Sequence, residues 1–311
     1  MLKTLVPIAA ALALAGSAAA QTPPAAVTDL GPGMVGVYYA PPKTGGPVVL
    51  IVGGSEGGFL GSSAAAKALA EQGFGALALA YFKAPGLPQT LEDIPLETFT
   101  GALDWLSARP EVARRRIGMI GVSKGAEAAL LVASRDPRVC AVVAGVASNV
   151  AWIGVRPPTF ATDRPSWTWR GEPVPFAPYD FTKFAGGIRG IYEGGLAKAP
   201  PEAVIPVERI GGPILLVSGR ADKLWPSTPM SEAIMARLDA AKFRYAHSHL
   251  AYDDAGHGAF GRPFATLPTE AALAAAGGTP EGNQAARVDS WPKVVAFLDT
   301  NLRGKGCAPL R

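Results

Sequence analysis

The chain has 311 residues, of which 49% are hydrophobic and only 17% charged, with a formal net charge of +4. That balance describes a folded globule and excludes a disordered chain, and the positive charge forms no basic run or basic–aromatic stripe, so nucleic acid is not an expected partner. Two cysteines, Cys140 and Cys307, make no disulfide scaffold, and three histidines without metal-ligand spacing give no expectation of a metal or other cofactor.

Residues 1–20 read as a secretory signal: Lys3 as a short positive region, 5–16 as the apolar stretch, and Ala18-Ala19-Ala20 before Gln21 as the cleavage site. The apolar stretch is too short to serve as a stable membrane anchor, so the mature protein is expected in the periplasm or outside the cell. Residues 21–311 are enough for one large α/β domain with a full core.

Along that domain, strand-like and helix-like segments alternate. The run 48–52 is a buried strand, 62–72 a helix stopped by Gly73, 76–82 a strand, and 94–108 a helix with Leu96, Phe99, Leu103 and Leu106 at core spacing. Strand 117–122 leads straight into a helix through Arg135, and 139–146 is again a strand, in which Cys140 acts as a small hydrophobe. Segment 150–195 interrupts the pattern with Pro, Gly and aromatics, among them Trp152, Trp167, Trp169, Phe176, Tyr179, Phe181 and Tyr192. A long excursion of this kind in an α/β chain is expected to form a cap or lid. Strand 214–218, helix 227–241, a strand near 249–252 and a final helix 284–302 complete the domain. Repeated strand–helix units define a doubly wound, mostly parallel sheet, an α/β-hydrolase fold with a cap-like insertion.

Reactive groups in such sheets stand at the carboxyl ends of strands. Two Gly-x-Ser-x-Gly matches compete there: Gly53-Gly54-Ser55-Glu56-Gly57 and Gly121-Val122-Ser123-Lys124-Gly125. A serine hydroxyl needs a base within hydrogen-bond reach, itself oriented by a carboxylate. Ser123 sits at a strand-to-helix elbow and is the expected nucleophile, with Ser55 the runner-up. His257, in the glycine-flanked loop Asp254-Ala255-Gly256-His257-Gly258, is the expected base, ahead of His247 and His249. Asp222 follows a buried strand and is the expected acid, with Asp253 and Asp254 as rivals. The earlier glycine-rich loop then takes a second role, in which Gly54 or Ser55 joins the backbone amide of Lys124 in an oxyanion hole. The Lys124 side chain reads as a solvated surface lysine, and Glu127 as an acid complementing a helix N-terminus. Trp225 and Trp152 are expected to bind substrate.

With these residues placed, the chain resembles the C-terminal catalytic domain of the acyl-CoA thioesterase and bile acid-CoA:amino acid N-acyltransferase family. The match runs through 53–58, Gly121-Val122-Ser123-Lys124-Gly125-Ala126-Glu127, and Ser218-Gly219-Arg220-Ala221-Asp222-Lys223-Leu224-Trp225. It continues in Gly256-His257, Gly277-Gly278-Thr279-Pro280 and Ala286-Arg287-Val288-Asp289-Ser290-Trp291. The resemblance implies a Ser123–Asp222–His257 triad acting on acyl thioesters. In this family amino-acid acyl transfer goes with a cysteine nucleophile, so Ser123 implies hydrolysis. The family's animal members carry an N-terminal β-sandwich that residues 21–46 are too few to build.

The expectation is therefore an exported serine hydrolase, free of cofactors, acting on a small-molecule acyl thioester or carboxylic ester. A dienelactone-hydrolase-like or general carboxylesterase is the alternative within enzymes. A noncatalytic binding protein on a hydrolase scaffold is the alternative outside them.

Overall fold

Runs of Val, Ile, Leu and Ala that no polar residue interrupts are stable as strands covered on both faces. In the structure, a computed structural model that describes residues 27–31, 33–157 and 162–304, these runs lie side by side in one eight-stranded sheet. In chain order the elements are β1 (Thr28–Asp29), β2 (Val35–Tyr39), β3 (Gly46–Val52), α1 (Leu60–Glu71), β4 (Gly75–Ala80), β5 (Ile94–Pro95) and α2 (Glu97–Ser107). Then come β6 (Val112–Val122), α3 (Lys124–Ala133), β7 (Val139–Gly145), β8 (Trp167–Trp169), β9 (Glu172–Pro173) and α4 (Gly187–Leu196). The chain closes with β10 (Ile214–Gly219), α5 (Ser227–Ala240), β11 (His247–Tyr252), α6 (Glu270–Leu273) and α7 (Pro280–Leu298). The large sheet has the order β1-β2-β4-β3-β6-β7-β10-β11. β2 is antiparallel to its neighbours β1 and β4, and every pairing from β4 across to β11 is parallel.

Side chains of a strand alternate between faces, and β3 shows the consequence. Val48, Leu50 and Val52 join one core cluster with Phe99, Leu103 and Leu106 of α2, Leu130 of α3 and Ile234 of α5. Val49 and Ile51 join the other, with Leu69 of α1 and Val294 and Leu298 of α7. Helices thus cover both faces, which is the doubly wound α/β-hydrolase architecture.

Several boundaries differ from the sequence reading, and two of them have a local cause. Ile94–Pro95 is not the start of α2 but a short strand in register with Trp167 and Thr168. Pro95 disfavours helical backbone at Ile94, so the helix begins only at Glu97. The last helix starts at Pro280, not at residue 284, because Thr279 caps it by accepting the Gly282 N–H at 2.9 Å and proline is tolerated in a first turn.

The excursion after β7 supplies helix α4 and the strands β8 and β9, which join β5 in a three-stranded sheet; residues 158–161 of it lie outside the described residues. Its centre is aromatic: Trp152 stacks on Tyr179 at 6.2 Å and meets Tyr192 edge-on at 4.8 Å, and Tyr192 in turn meets Trp225 at 5.5 Å. Cys140, in β7, is disulfide-bonded and not a free thiol; Cys307 and the expected signal segment 1–20 lie outside the described residues. Among the described residues no helix is long and apolar enough to cross a membrane, and no group of three or more His, Cys, Asp or Glu is arranged to hold a metal.

Candidate active site

β3, β6, β10 and β11 deliver four loops to the same end of the sheet. At the end of β6 the chain turns into α3 through Ser123, whose φ of +55° and ψ of −122° lie in a region that side chains other than glycine rarely adopt. Such strain persists only where the surroundings over-determine it. Here a Cβ on Gly121 would lie 2.1 Å from the Gly125 carbonyl oxygen, and one on Gly125 would lie 2.2 Å from that of Gly53. Only glycine fits either position, and the tight turn projects Ser123 away from the sheet.

The base and the acid arrive on loops that brace each other. Ala221 N–H donates to Ala255 O at 3.0 Å, while His257 N–H and Lys223 N–H both donate to Ala276 O, at 2.8 and 3.2 Å. Buried Asn283 closes the bracket: its Oδ1 accepts the Gly256 N–H at 3.0 Å and its Nδ2 donates to the carbonyls of Gly277 and Thr279. The Gly277-Gly278 pair, noticed in the sequence only as a landmark, has φ of +77° and +70° and passes so close to Ala221 and Gly256 that side chains are excluded.

These loops bring the three expected groups together. His257 Nε2 is 3.0 Å from Ser123 Oγ, and His257 Nδ1 is 2.9 Å from Asp222 Oδ2. Asp222 is 1% exposed, and its Oδ1 accepts the backbone N–H groups of Leu224 and Trp225 at 2.9 and 3.2 Å. Ser227 Oγ donates to Oδ2 at 2.6 Å, and the Trp225 indole meets the His257 ring edge-on at 5.6 Å. The rivals stand elsewhere. Asp253 pairs with Arg220, His247 with Asp239, and His249 Nε2 with Ser218 Oγ at 2.7 Å.

Beside Ser123 opens a cavity, part of it continuous with solvent, lined by Ser55, Ser123, Lys124, Val155, Tyr179, Phe181, Ile188, Ile191, Tyr192, Leu224 and Trp225. Most of this wall comes from the 150–195 excursion, and it is largely apolar. Burial there pushes the Tyr192 hydroxyl up to about 12 and the Tyr179 hydroxyl well above its ordinary value, so both rings present neutral phenols.

Three expectations are corrected. Trp152 does not line the cavity: it is fully buried behind Tyr179 and Tyr192, its indole N–H donating to Ser148 Oγ at 2.8 Å. Gly54 does not offer a free amide, because its N–H donates to Glu56 Oε1 at 2.8 Å. Of the glycine-rich loop, Ser55 is the residue on the cavity wall. Lys124 is not solvated. It is 2% exposed, and its Nζ lies 2.6 Å from Oε2 of Glu127, itself 0% exposed. Burial drives both groups toward neutrality, lowering the lysine and raising the carboxyl, while their contact opposes both shifts. Glu127 Oε1 also accepts the Trp152 backbone N–H at 2.9 Å and the Trp167 indole N–H at 2.5 Å. Glu127 stands in the first turn of α3, as expected of a helix-end acid, and also ties the elbow helix to the excursion. Ile188, Ile191 and Leu224 of the cavity wall, and Ser227 behind Asp222, were not singled out from sequence; a spacing of five from Asp222 to Ser227 is their one local signal.

The fold and these loops define the class: an α/β-hydrolase with a serine, a histidine and an aspartate in hydrogen-bonded sequence at the carboxyl end of the sheet. The chain belongs to the BAAT / acyl-CoA thioester hydrolase C-terminal family, whose model matches residues 94–304. It is 31% identical over 280 residues to acyl-coenzyme A thioesterase 6 of Mus musculus, covering 86% of this chain and 63% of that protein. It is also 31% identical over 283 residues to acyl-coenzyme A amino acid N-acyltransferase 2 of Rattus norvegicus, covering 87% and 64%. The chain thus spans a little under two thirds of the length of these relatives. Solved structures of similar fold include a puromycin-hydrolyzing peptidase of Mycobacterium tuberculosis, with a TM-score of 0.56, 14% identity, and coverage of 89% of this chain and 39% of that one. A dienelactone hydrolase-like promiscuous phosphotriesterase from metagenomic libraries aligns with a TM-score of 0.50 at 18% identity, over 88% and 95% of the two chains.

Proposed function

We propose that this protein is an exported serine hydrolase that cleaves acyl thioesters or carboxylic esters through an acyl-enzyme. The observation that carries the reading is the unbroken hydrogen-bond sequence Ser123 Oγ, His257 Nε2, His257 Nδ1, Asp222 Oδ2 beside an apolar cavity. Ser123 Oγ attacks the acyl carbon as its proton passes to His257 Nε2. Asp222 holds the imidazole in that tautomer and stabilises the imidazolium. The oxyanion is received by the Lys124 N–H, which opens α3 and has no partner within that helix, and by the Ser55 N–H. Loss of one such donor costs about 10²–10³ in rate. His257 then protonates the leaving thiol or alcohol, and water, deprotonated by the same histidine, releases the acid.

The names of the relatives support thioesters as the substrate class, and the apolar wall supports an acyl group in the cavity. The disulfide at Cys140 supports an oxidising compartment, in keeping with the signal-like residues 1–20. The test has three arms. A fluorophosphonate probe should label Ser123, and Ser123→Ala and His257→Ala should abolish turnover while the protein stays folded; a folded chain that is neither labelled nor active on any ester or thioester argues for a binding scaffold. Acyl-CoA and short p-nitrophenyl esters compared side by side decide between thioesterase and carboxylesterase. Expression from the full-length gene, with N-terminal sequencing of the product, tests cleavage before Gln21.

A further inference from the structure

The carboxylate of Asp222 is satisfied by four donors, and only one of them competes with His257. Leu224 N–H and Trp225 N–H bind Oδ1, whereas His257 Nδ1 and Ser227 Oγ share Oδ2, at 2.9 and 2.6 Å. Ser227 is wholly buried and held in place from several directions. Its N–H donates to Trp225 O at 2.8 Å. The next residue, Thr228, meets Ser218 Oγ of β10 at 2.7 Å, and that hydroxyl meets His249 Nε2 of β11 at the same distance. The start of α5 is thereby pinned to two strands, and the Ser227 hydroxyl has no freedom to leave the carboxylate for water.

We infer that Ser227 is a positioning residue that fixes the Asp222 carboxylate and moderates the basicity of His257, an inference that rests on the triad reading above. A hydroxyl donating to Oδ2 draws charge from the same oxygen that stabilises the imidazolium. Without it Oδ2 pulls harder on the Nδ1 proton, and the protonated imidazole is favoured. The histidine then holds a proton at pH values where it must be free to accept one from Ser123.

The charged and titratable groups around the pair are Glu56 on the loop after β3, which interacts with the His257 charge, and Tyr192 of α4, which feels Asp222. Arg189 of α4 donates to the Asp222 carbonyl at 2.7 Å and pairs with Glu193, and the Lys124–Glu127 pair lies below the elbow. None of them touches Ser227 in the structure, so a change at that residue isolates one donor.

The experiment compares wild type, Ser227→Ala and Ser227→Thr. In the alanine variant the acid limb of the kcat/KM–pH profile should move up by about half a unit to one unit, with kcat/KM at pH values well below that limb lower by about threefold to tenfold. The threonine variant, which keeps the hydroxyl, should return both toward wild type. The low-field proton resonance of His257 Nδ1–H, read without any substrate, should move downfield in Ser227→Ala. An acid limb and a resonance that both stay put overturn the inference, and so does a loss of activity with an unmoved acid limb, which marks a structural role only. The resonance is independent of turnover, and fluorophosphonate labelling of Ser123 in the wild-type protein tests the hydrolase reading with Ser227 unchanged. Failure of the hydrolase reading and failure of this inference are therefore told apart.

Discussion

Gly125 and Gly53 are in backbone contact: a Cβ on Gly125 would lie 2.2 Å from the Gly53 carbonyl oxygen. The two glycine-rich loops that compete in the sequence are thus one packed unit, with the later serine at its centre. Gly125→Ala should destabilise the protein by about 3 kcal/mol and remove turnover with any ester. Chemical denaturation and a fluorophosphonate time course check this; an alanine variant of wild-type stability and labelling rate would mean that the elbow tolerates a shift.

The Lys124–Glu127 pair makes a double-mutant prediction. Lys124→Met leaves a buried carboxylate without its cation and should cost about 3–5 kcal/mol. Adding Glu127→Gln removes the charge yet keeps an acceptor for Trp152 N–H and Trp167 Nε1–H, so most of that loss should return. Urea denaturation of the four proteins of the cycle measures it. Simple additivity of the two losses would contradict the buried-charge account.

Two histidines of β11 should titrate in opposite directions from the ordinary imidazole value of 6.5. His247, facing Tyr245 O and Asp239, is raised, and His249, desolvated by burial, is lowered. For His249 the unfolded imidazole takes up a proton as pH falls through about 6.5 while the folded one resists it, so stability is lost from there downward. For His247 the sign is reversed: its contribution is present below the unfolded value and is lost as pH rises through the folded one. An NMR titration tests the order directly, and His249→Gln should flatten the stability loss between about pH 7 and pH 5. His249 titrating above His247 would refute the assignment.

Ile191, on α4, is 4% exposed and forms part of the cavity wall. Ile191→Trp adds bulk to the wall of the cavity that also holds Ser123 and leaves Asp222 and His257 unsubstituted. Its kcat/KM for bulky acyl groups should fall by about tenfold or more, while acetyl esters stay within about threefold. A uniform loss across chain lengths would separate this cavity from the acyl group.

Much of the fold was legible because its signals are local. Uninterrupted apolar runs such as 48–52 and 139–145 can only be buried strands, and glycine at 121 and 125 signals a turn too tight for a side chain. Chain order then paired Ser123 with Asp222 and His257, which the structure brings within hydrogen-bond distance of one another. Start positions were harder to read. Ile94 and Pro95 have helix-compatible neighbours; Pro95 works against helical backbone at Ile94, and partner residues 73 positions away complete the change to strand.

What the sequence determined by itself was the set of elements and the order of the reactive groups, because periodicity, glycine placement and strand-end position are properties of short segments. Tertiary structure alone decided the surroundings of those groups. Lys124 carries the composition of a surface residue, yet its partner Glu127 and the ring of Trp167 enclose it. Gly54 has a free amide until Glu56 folds back onto it. Trp152 and Trp225 are alike as residues, and only packing puts one behind the cavity and the other on its wall. Burial and hydrogen-bond competition are set by what arrives from distant parts of the chain, so they become readable only when those parts are in place.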